Sequence, residues 1–193
     1  MRLKRIFVDK ETWEGLYAVQ YSEQPAHELN RIFTNWTDTS YLEEYLTLIL
    51  AYLQDDYFVN VSIDVLIDKV IDEADELSAR LRDFVSGGFE KNGKNLQMLF
   101  KPLHNAHFEI KPLQKHKAKI EDYNFPKPIL RIYGIRIEQN TFIITGGAIK
   151  LVHEMKDHPD TLEELNKMER VKLFLKNSDI NCEEDLKIYY EQS

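Results

Sequence analysis

The chain contains a single cysteine, Cys182, in 193 residues. One cysteine excludes an internal disulfide and any metal site built from cysteine pairs. No segment approaches the roughly 18 to 20 consecutive apolar residues of a membrane span. The N-terminus, Met-Arg-Leu-Lys-Arg-Ile, also lacks the apolar run of a signal peptide. These absences predict a cytoplasmic protein with no membrane partner.

The sequence also lacks the common catalytic fingerprints. Residues 146–150, Gly-Gly-Ala-Ile-Lys, do not have the spacing of a phosphate-binding loop, and no nucleophile elbow, zinc-protease helix or dinucleotide-binding motif occurs. The pair His104 and His107 has metal-ligand spacing but no obvious third ligand. We therefore predict neither a metal nor another cofactor.

The charge is distributed unevenly along the chain. The overall net charge is −8, but residues 1–90 carry 8 basic and 18 acidic side chains, and residues 151–193 carry 6 and 11. Residues 91–150 carry 11 basic against 4 acidic, a balance of +7. This asymmetry indicates either an anionic partner or an internal electrostatic contact; folding into a mixed surface is the alternative.

Hydrophobic periodicity predicts an α+β fold. Two short strands are expected near residues 3–8 and 15–21, two helices follow, and a long helix is expected from Ser62 to the Gly87-Gly88 pair. Residues 129–137 and 141–145 predict an antiparallel hairpin, with Gly146-Gly147 permitting a bulge or a close backbone approach. Residues 111–128 are expected to be an exposed connection. The pattern Thr161-x-x-Glu164 predicts a capping box at the start of a late helix.

The basic segment supplies the candidate functional residues. Strand parity places Arg131 and Tyr133 on one face and Arg136 on the other, unless a bulge at Gly134 changes the parity. Arginine and tyrosine on one sheet face can bind phosphate and stack a base. The alternative is that Arg131 pairs with an acidic residue and Tyr133 packs in the core.

The segment from Ala74 to Lys176 resembles the RelE/ParE superfamily of bacterial toxins, especially its HigB-like members. The resemblance rests on a helix ending near a glycine turn, the stretch Phe100-Lys101-Pro102-Leu103, and the strand Leu130-Arg131-Ile132-Tyr133-Gly134-Ile135-Arg136. A hydrophobic strand ending at Lys150 and a helix over 162–175 complete it.

The resemblance implies a small, curved antiparallel sheet with packed helices: a RelE-like core over residues 61–193, behind a strand and helix extension over residues 1–60. It implies a ribosome-dependent mRNA endonuclease of a toxin–antitoxin system, with RNA, the ribosome and an antitoxin-like protein as partners and no direct DNA binding. The implied catalytic residues are Arg131, Tyr133, Arg136 and Lys150. The implied RNA-binding residues are Lys101, Lys115, Lys117 and Lys119.

Two hypotheses follow from these patterns. In the first, the chain is a RelE-like ribonuclease whose acidic N-terminal region masks the basic sheet. In the second, the fold is retained without the chemistry, and the protein binds or regulates a protein partner through the aromatic helix near Tyr41–Tyr57.

Overall fold

The computed structural model describes residues 1–49, 61–103, 113–120, 128–151 and 159–192. The strands are β1 (Arg2–Val8), β2 (Gly15–Gln20), β3 (Phe100–Pro102), β4 (Gln114–Ala118), β5 (Leu130–Glu138) and β6 (Thr141–Ile149). The helices in these ranges are α1 (Glu28–Thr37), α2 (Thr39–Ile49), α3 (Ile63–Phe89), α4 (Leu96–Leu99), α5 (Pro159–Asn177) and α6 (Glu183–Glu191). The α+β class is as the sequence predicts.

Helix α3 illustrates how the sequence sets an element. Its first turn is capped by Ser62, whose hydroxyl accepts a hydrogen bond from the Val65 amide. Apolar residues at helical spacing bury one side of it: Leu66, Val70, Ala74, Leu77, Leu81 and Val85. The helix continues through Gly87-Gly88 and ends at Phe89, so the glycine pair does not terminate it as predicted.

The six strands form one mixed sheet in the order β1-β2-β6-β5-β4-β3. The prediction of an antiparallel sheet is wrong at one position, because β2 and β6 pair in parallel, with Leu16 beside Phe142. All other neighbouring strands are antiparallel. Turn signals encode hairpins between strands that follow each other, whereas β2 and β6 are separated by more than a hundred residues and by the four helices α1–α4.

The hairpin of β5 and β6 contains a bulge opposite the junction of Tyr133 and Gly134. Tyr133 pairs with Gly146 and Gly134 pairs with Ile144, so Thr145 is the extra residue. The bulge therefore lies on β6 and leaves the alternation of β5 intact. The predicted separation of Arg131 and Tyr133 from Arg136 is confirmed: Tyr133 packs with α5, whereas Arg136 bonds to Gln97 of α4 on the other face.

Helices cover both faces of the sheet. One hydrophobic cluster joins α1–α4 to one face through side chains such as Ile32, Leu77 and Phe142. The other joins α5 and α6 to the opposite face through Tyr133 and Met168, among others. Because β1 and β2 belong to this sheet, residues 1–60 contribute two of its strands. None of the helices in the described ranges is both long and apolar enough to span a membrane.

Two local predictions are wrong. Residues 114–118 form β4, although the Lys-rich and Pro-rich segment 111–128 is predicted to be an exposed connection. Thr161 is the third residue of α5 rather than its N-cap, and the Glu164 side chain bonds to Lys167 instead of closing a capping box. In both cases contacts with distant elements outweigh the local pattern, because they bury His116, Ala118 and Glu164.

Candidate functional site

Strand β4 arranges the lysines of the basic segment on the α5 face of the sheet. Backbone pairing places Lys117 between Lys101 of β3 and Tyr133 of β5, and Tyr133 packs in the cluster on the α5 face. The alternate residues His116 and Ala118 point to the other face, where the His116 ring contacts Phe142 at 5.5 Å. This alternation of lysines with smaller or less polar residues was the available sequence signal for the strand.

Lys101 and Lys117 therefore form a pair of like charges directly across two strands. Such a pair destabilises a sheet, because the side chains leave the backbone about 5 Å apart. Neither lysine has a salt bridge within the described part of the chain. With no counter-charge among the described residues, this row is suited to an anionic ligand.

Arg131 adds a third cation to the same face. Its guanidinium Nη1 donates to the carbonyl oxygens of Pro128 and Leu130 at 2.9 and 2.7 Å, which fixes the side chain against the start of β5. Burial lowers the pKa of Arg131, and this group remains a cation at any physiological pH. No carboxylate among the described residues forms a salt bridge with it, so the alternative of an Arg131 ion pair has no support there.

Lys117 lies close to other positive charges of this face. Partial burial lowers the pKa of the Lys117 ammonium, and the positive charges of Arg131 and Lys119 lower it further. A lysine with a depressed pKa can hold or release a proton nearer to neutral pH than an exposed one. We name Lys101, Lys117, Lys119 and Arg131 the basic face.

Two other predicted residues take part in the framework around this face. Lys115 forms a salt bridge with Glu169 of α5, which connects that helix to β4 and occupies the lysine charge. Lys150 follows β6, and its amide donates to the Ile129 carbonyl at 2.7 Å, extending the hairpin ladder. Both residues lie at the border of the basic face rather than in its Lys101–Lys117 row.

The structure does not bring the four predicted catalytic residues together. Arg136 lies on the opposite face, 7% exposed, with its Nε bonded to Gln97 at 3.3 Å. Tyr133 is 1% exposed, and its hydroxyl has no hydrogen-bond partner among the described residues. Burial raises the pKa of the Tyr133 phenol, which keeps it protonated. Tyr133 thus packs in the core, which is the alternative to base stacking that the sequence offered for this residue.

The masking hypothesis requires the acidic N-terminal half to cover the basic face, and the described helices of that half do not cover it. Helices α1–α3 pack on the opposite face of the sheet, together with Arg136. The carboxylate of Glu73 in α3 accepts hydrogen bonds from the amides of Ile129 and Leu130 instead. These helices support the strand that carries Arg131 from behind.

Residues 50–60 and the histidine pair His104 and His107 lie outside the described ranges.

Comparison with known proteins gives no independent evidence on the function of this chain. No protein-family model matches this chain, and neither a curated protein nor a solved structure is significantly similar to it.

Proposed function

We propose that this protein binds single-stranded RNA on the basic face and cleaves it as a RelE-like toxin. The observation that carries the proposal is the row of Lys101 and Lys117 beside Arg131, for which the described ranges contain no salt-bridge partner. Phosphate groups neutralise such a row and remove the repulsion between the lysines. The α+β core and the position of these residues on one face are consistent with the resemblance that the sequence carries.

The charges of the basic face suit a specific division of tasks. Arg131 and Lys101 hold the scissile phosphate and stabilise the charge that develops on its oxygens in the transition state. Lys117, whose pKa is depressed, accepts the proton of the ribose 2′-hydroxyl. The 2′-oxygen then attacks phosphorus, a 2′,3′-cyclic phosphate forms, and the 5′-oxygen leaves with a proton from solvent. An antitoxin-like protein that occupies the basic face would block this reaction.

A second candidate function is RNA or protein binding without cleavage. The observation that favours it is the separation of Arg136 and the burial of the Tyr133 hydroxyl, which leave two of the four expected catalytic groups away from the basic face. In this case the fold is retained as a regulatory module. The exposed residues Tyr41 and Leu48 of α2 offer an apolar contact for a protein partner.

Substitutions at two arginines on opposite faces test the proposal. Full-length wild type, Arg131→Ala and Arg136→Ala are induced in bacteria, and the purified proteins are titrated with a fluorescent single-stranded RNA at several salt concentrations. Cleavage is followed by mapping mRNA ends in a translation extract. Arg131→Ala should abolish toxicity and cleavage and lower the salt slope of RNA binding by about 0.7, the value for one lost phosphate contact on single-stranded RNA. Arg136→Ala should lower the stability of the fold instead.

Lys117→Ala separates cleavage from binding, and Lys94→Ala is its matched control. Lys94 carries the same charge but is exposed and paired with Asp83, away from the basic face. Loss of cleavage with weakened but measurable RNA binding in Lys117→Ala, and wild-type behaviour of Lys94→Ala, supports the nuclease. RNA binding without cleavage by the wild type supports the second candidate. Equal RNA binding by wild type, Lys117→Ala and Arg131→Ala would overturn both roles of the basic face.

A further inference from the structure

A cavity of about 300 Å³ lies between α1, α2, α5 and the end of β6. Gly147, Ala148 and Ile149 form its floor. A Cβ atom on Gly147 would lie 3.0 Å from both the Trp36 ring and Ile32, so the glycine lets α1 approach the strand closely. The volume of the cavity is at the lower end of the range that is typical of small-ligand sites.

A buried network of charges lies at the inner side of this cavity, whose lining includes Arg31, Glu164 and Lys167. Glu28 of α1 is fully buried, and both of its carboxylate oxygens accept from Arg31, at 2.9 and 2.8 Å. The Lys167 ammonium of α5 bridges Glu28 and Glu164, at 3.2 and 2.7 Å. This network connects α1 to α5, which are far apart in the sequence.

The Glu164 carboxylate is incompletely satisfied. It is 4% exposed; Oε1 accepts from Lys167, whereas Oε2 has no hydrogen-bond partner within the described residues. The oxygen lies directly over Gly146, where an added Cβ would approach it to 1.9 Å. A buried carboxylate oxygen without a donor is costly, so a ligand that supplies one stabilises the site.

The cavity carries an excess of negative charge. Two carboxylates, Glu28 and Glu164, balance two cations, Arg31 and Lys167, in the network that connects α1 to α5. The lining adds the carboxylates Asp160 and Glu163, of which Glu163 is paired with Arg170, so carboxylates outnumber cations by four to three among these described residues. This excess favours a positively charged ligand.

Aromatic rings form the opposite side. Tyr41 and Tyr45 of α2 stack with ring centres 5.8 Å apart and planes 14° from parallel, and Trp36 closes the side near the sheet. The Tyr45 hydroxyl is hydrogen bonded to Asp160, which fixes α2 relative to α5. Aromatic rings next to carboxylates are the usual surroundings of an organic cation, since the rings attract positive charge and cover its apolar part.

We propose that this cavity is a binding site for a small organic cation with a guanidinium or primary ammonium group. The cationic group donates to Oε2 of Glu164 and lies among the carboxylates, while its alkyl chain packs against the rings of Tyr41 and Tyr45. None of the four basic-face residues lines this cavity, and the site does not depend on the RNA proposal.

The test uses a pair of probes that share a shape and differ in charge. Butylguanidinium and its neutral analogue butylurea are titrated into the full-length protein at pH 8 by isothermal calorimetry. Butylguanidinium should bind and butylurea should not. Glu164→Gln should weaken butylguanidinium binding at least tenfold. Glu76→Gln, which removes one charge from an exposed salt bridge on α3, should leave it unchanged.

A pH series on the wild type provides a second measurement if Glu164→Gln fails to fold. Burial raises the pKa of Glu164 to about 7, so about nine-tenths of this carboxyl is ionised at pH 8 and about one-tenth at pH 6. The affinity for butylguanidinium should therefore fall about tenfold between pH 8 and pH 6. Equal binding of the two probes, no binding at millimolar concentration, or an affinity that does not change over this pH range would overturn the proposal.

Discussion

Replacing Glu73 by glutamine tests how α3 supports the strand that carries Arg131. The Glu73 carboxylate is fully buried, lies 2.6 Å from the ammonium of Lys69, and accepts from the amides of Ile129 and Leu130. Glutamine keeps an acceptor for the amides but removes the negative charge. The Lys69 side chain, only 3% exposed, then loses the carboxylate that contacts its ammonium.

The expected loss in the free energy of unfolding is large because the pair of Lys69 and Glu73 is buried. Breaking a buried pair on one side costs about 3 to 5 kcal/mol. With a urea dependence of about 2 kcal/mol per molar, the unfolding midpoint should fall by roughly 1.5 to 2.5 M. The measurement is urea unfolding followed by circular dichroism.

Glu76→Gln is the matched control on the same helix. Glu76 also pairs with a residue four positions away, Arg80, at 2.6 Å, but its side chain is 41% exposed. This pair contributes less than about 1 kcal/mol. The double variant Lys69→Met/Glu73→Gln removes both charges and should recover most of the stability. If Glu73→Gln shifts the midpoint no more than Glu76→Gln, the buried pair does not support the sheet as argued.

Three further outcomes are expected. Gly146→Ala places a methyl group 1.9 Å from Oε2 of Glu164 and should lower the free energy of unfolding by about 1 to 3 kcal/mol. The double variant Gly146→Ala/Glu164→Ala should recover this stability, and a single variant as stable as the wild type would contradict the close approach. Tyr133→Phe removes a buried hydroxyl that has no partner among the described residues, so urea unfolding should show equal or slightly higher stability, and RNA cleavage should not change. Loss of cleavage with normal stability would indicate that Tyr133 is a catalytic residue. Since the Glu164 pKa is raised to about 7 from 4.5, the unfolded state loses this proton first, and stability should fall as the pH rises from about 4.5 to 7. In Glu164→Gln this part of the pH dependence should disappear, whereas in Glu163→Gln, where the side chain is half exposed, it should remain; the same slope in both variants would contradict the assignment.

Local sequence patterns determined the elements whose faces repeat over many residues. The apolar stripe of α3, the cap at Ser62 and the hairpin of β5 and β6 could all be predicted, because side-chain periodicity decides which face an element buries. The same rule placed Arg131 and Tyr133 on one face and Arg136 on the other. The glycine pair 146–147 marked both the bulge and the close approach of α1.

The RelE-like assignment stays a prediction, because its catalytic set was transferred by motif. Position along a strand does not reveal depth in the core. Tyr133 and Arg136 are buried because α5 and α4 pack over them, and neither helix is near them in the sequence. The residues that do form an open cationic row, Lys101 and Lys117, became a pair only through the pairing of β3 with β4.

Tertiary structure alone decided the features that join distant parts of the chain. The parallel pairing of β2 with β6 and the bridge from Glu28 to Lys167, 139 residues apart, leave no local pattern. A buried carboxylate such as Glu164 also looks in the sequence like one more charge on an exposed helix face. Sequence periodicity reports which side of an element is apolar, whereas the partner that covers that side depends on how all the elements pack together to bury their apolar surface.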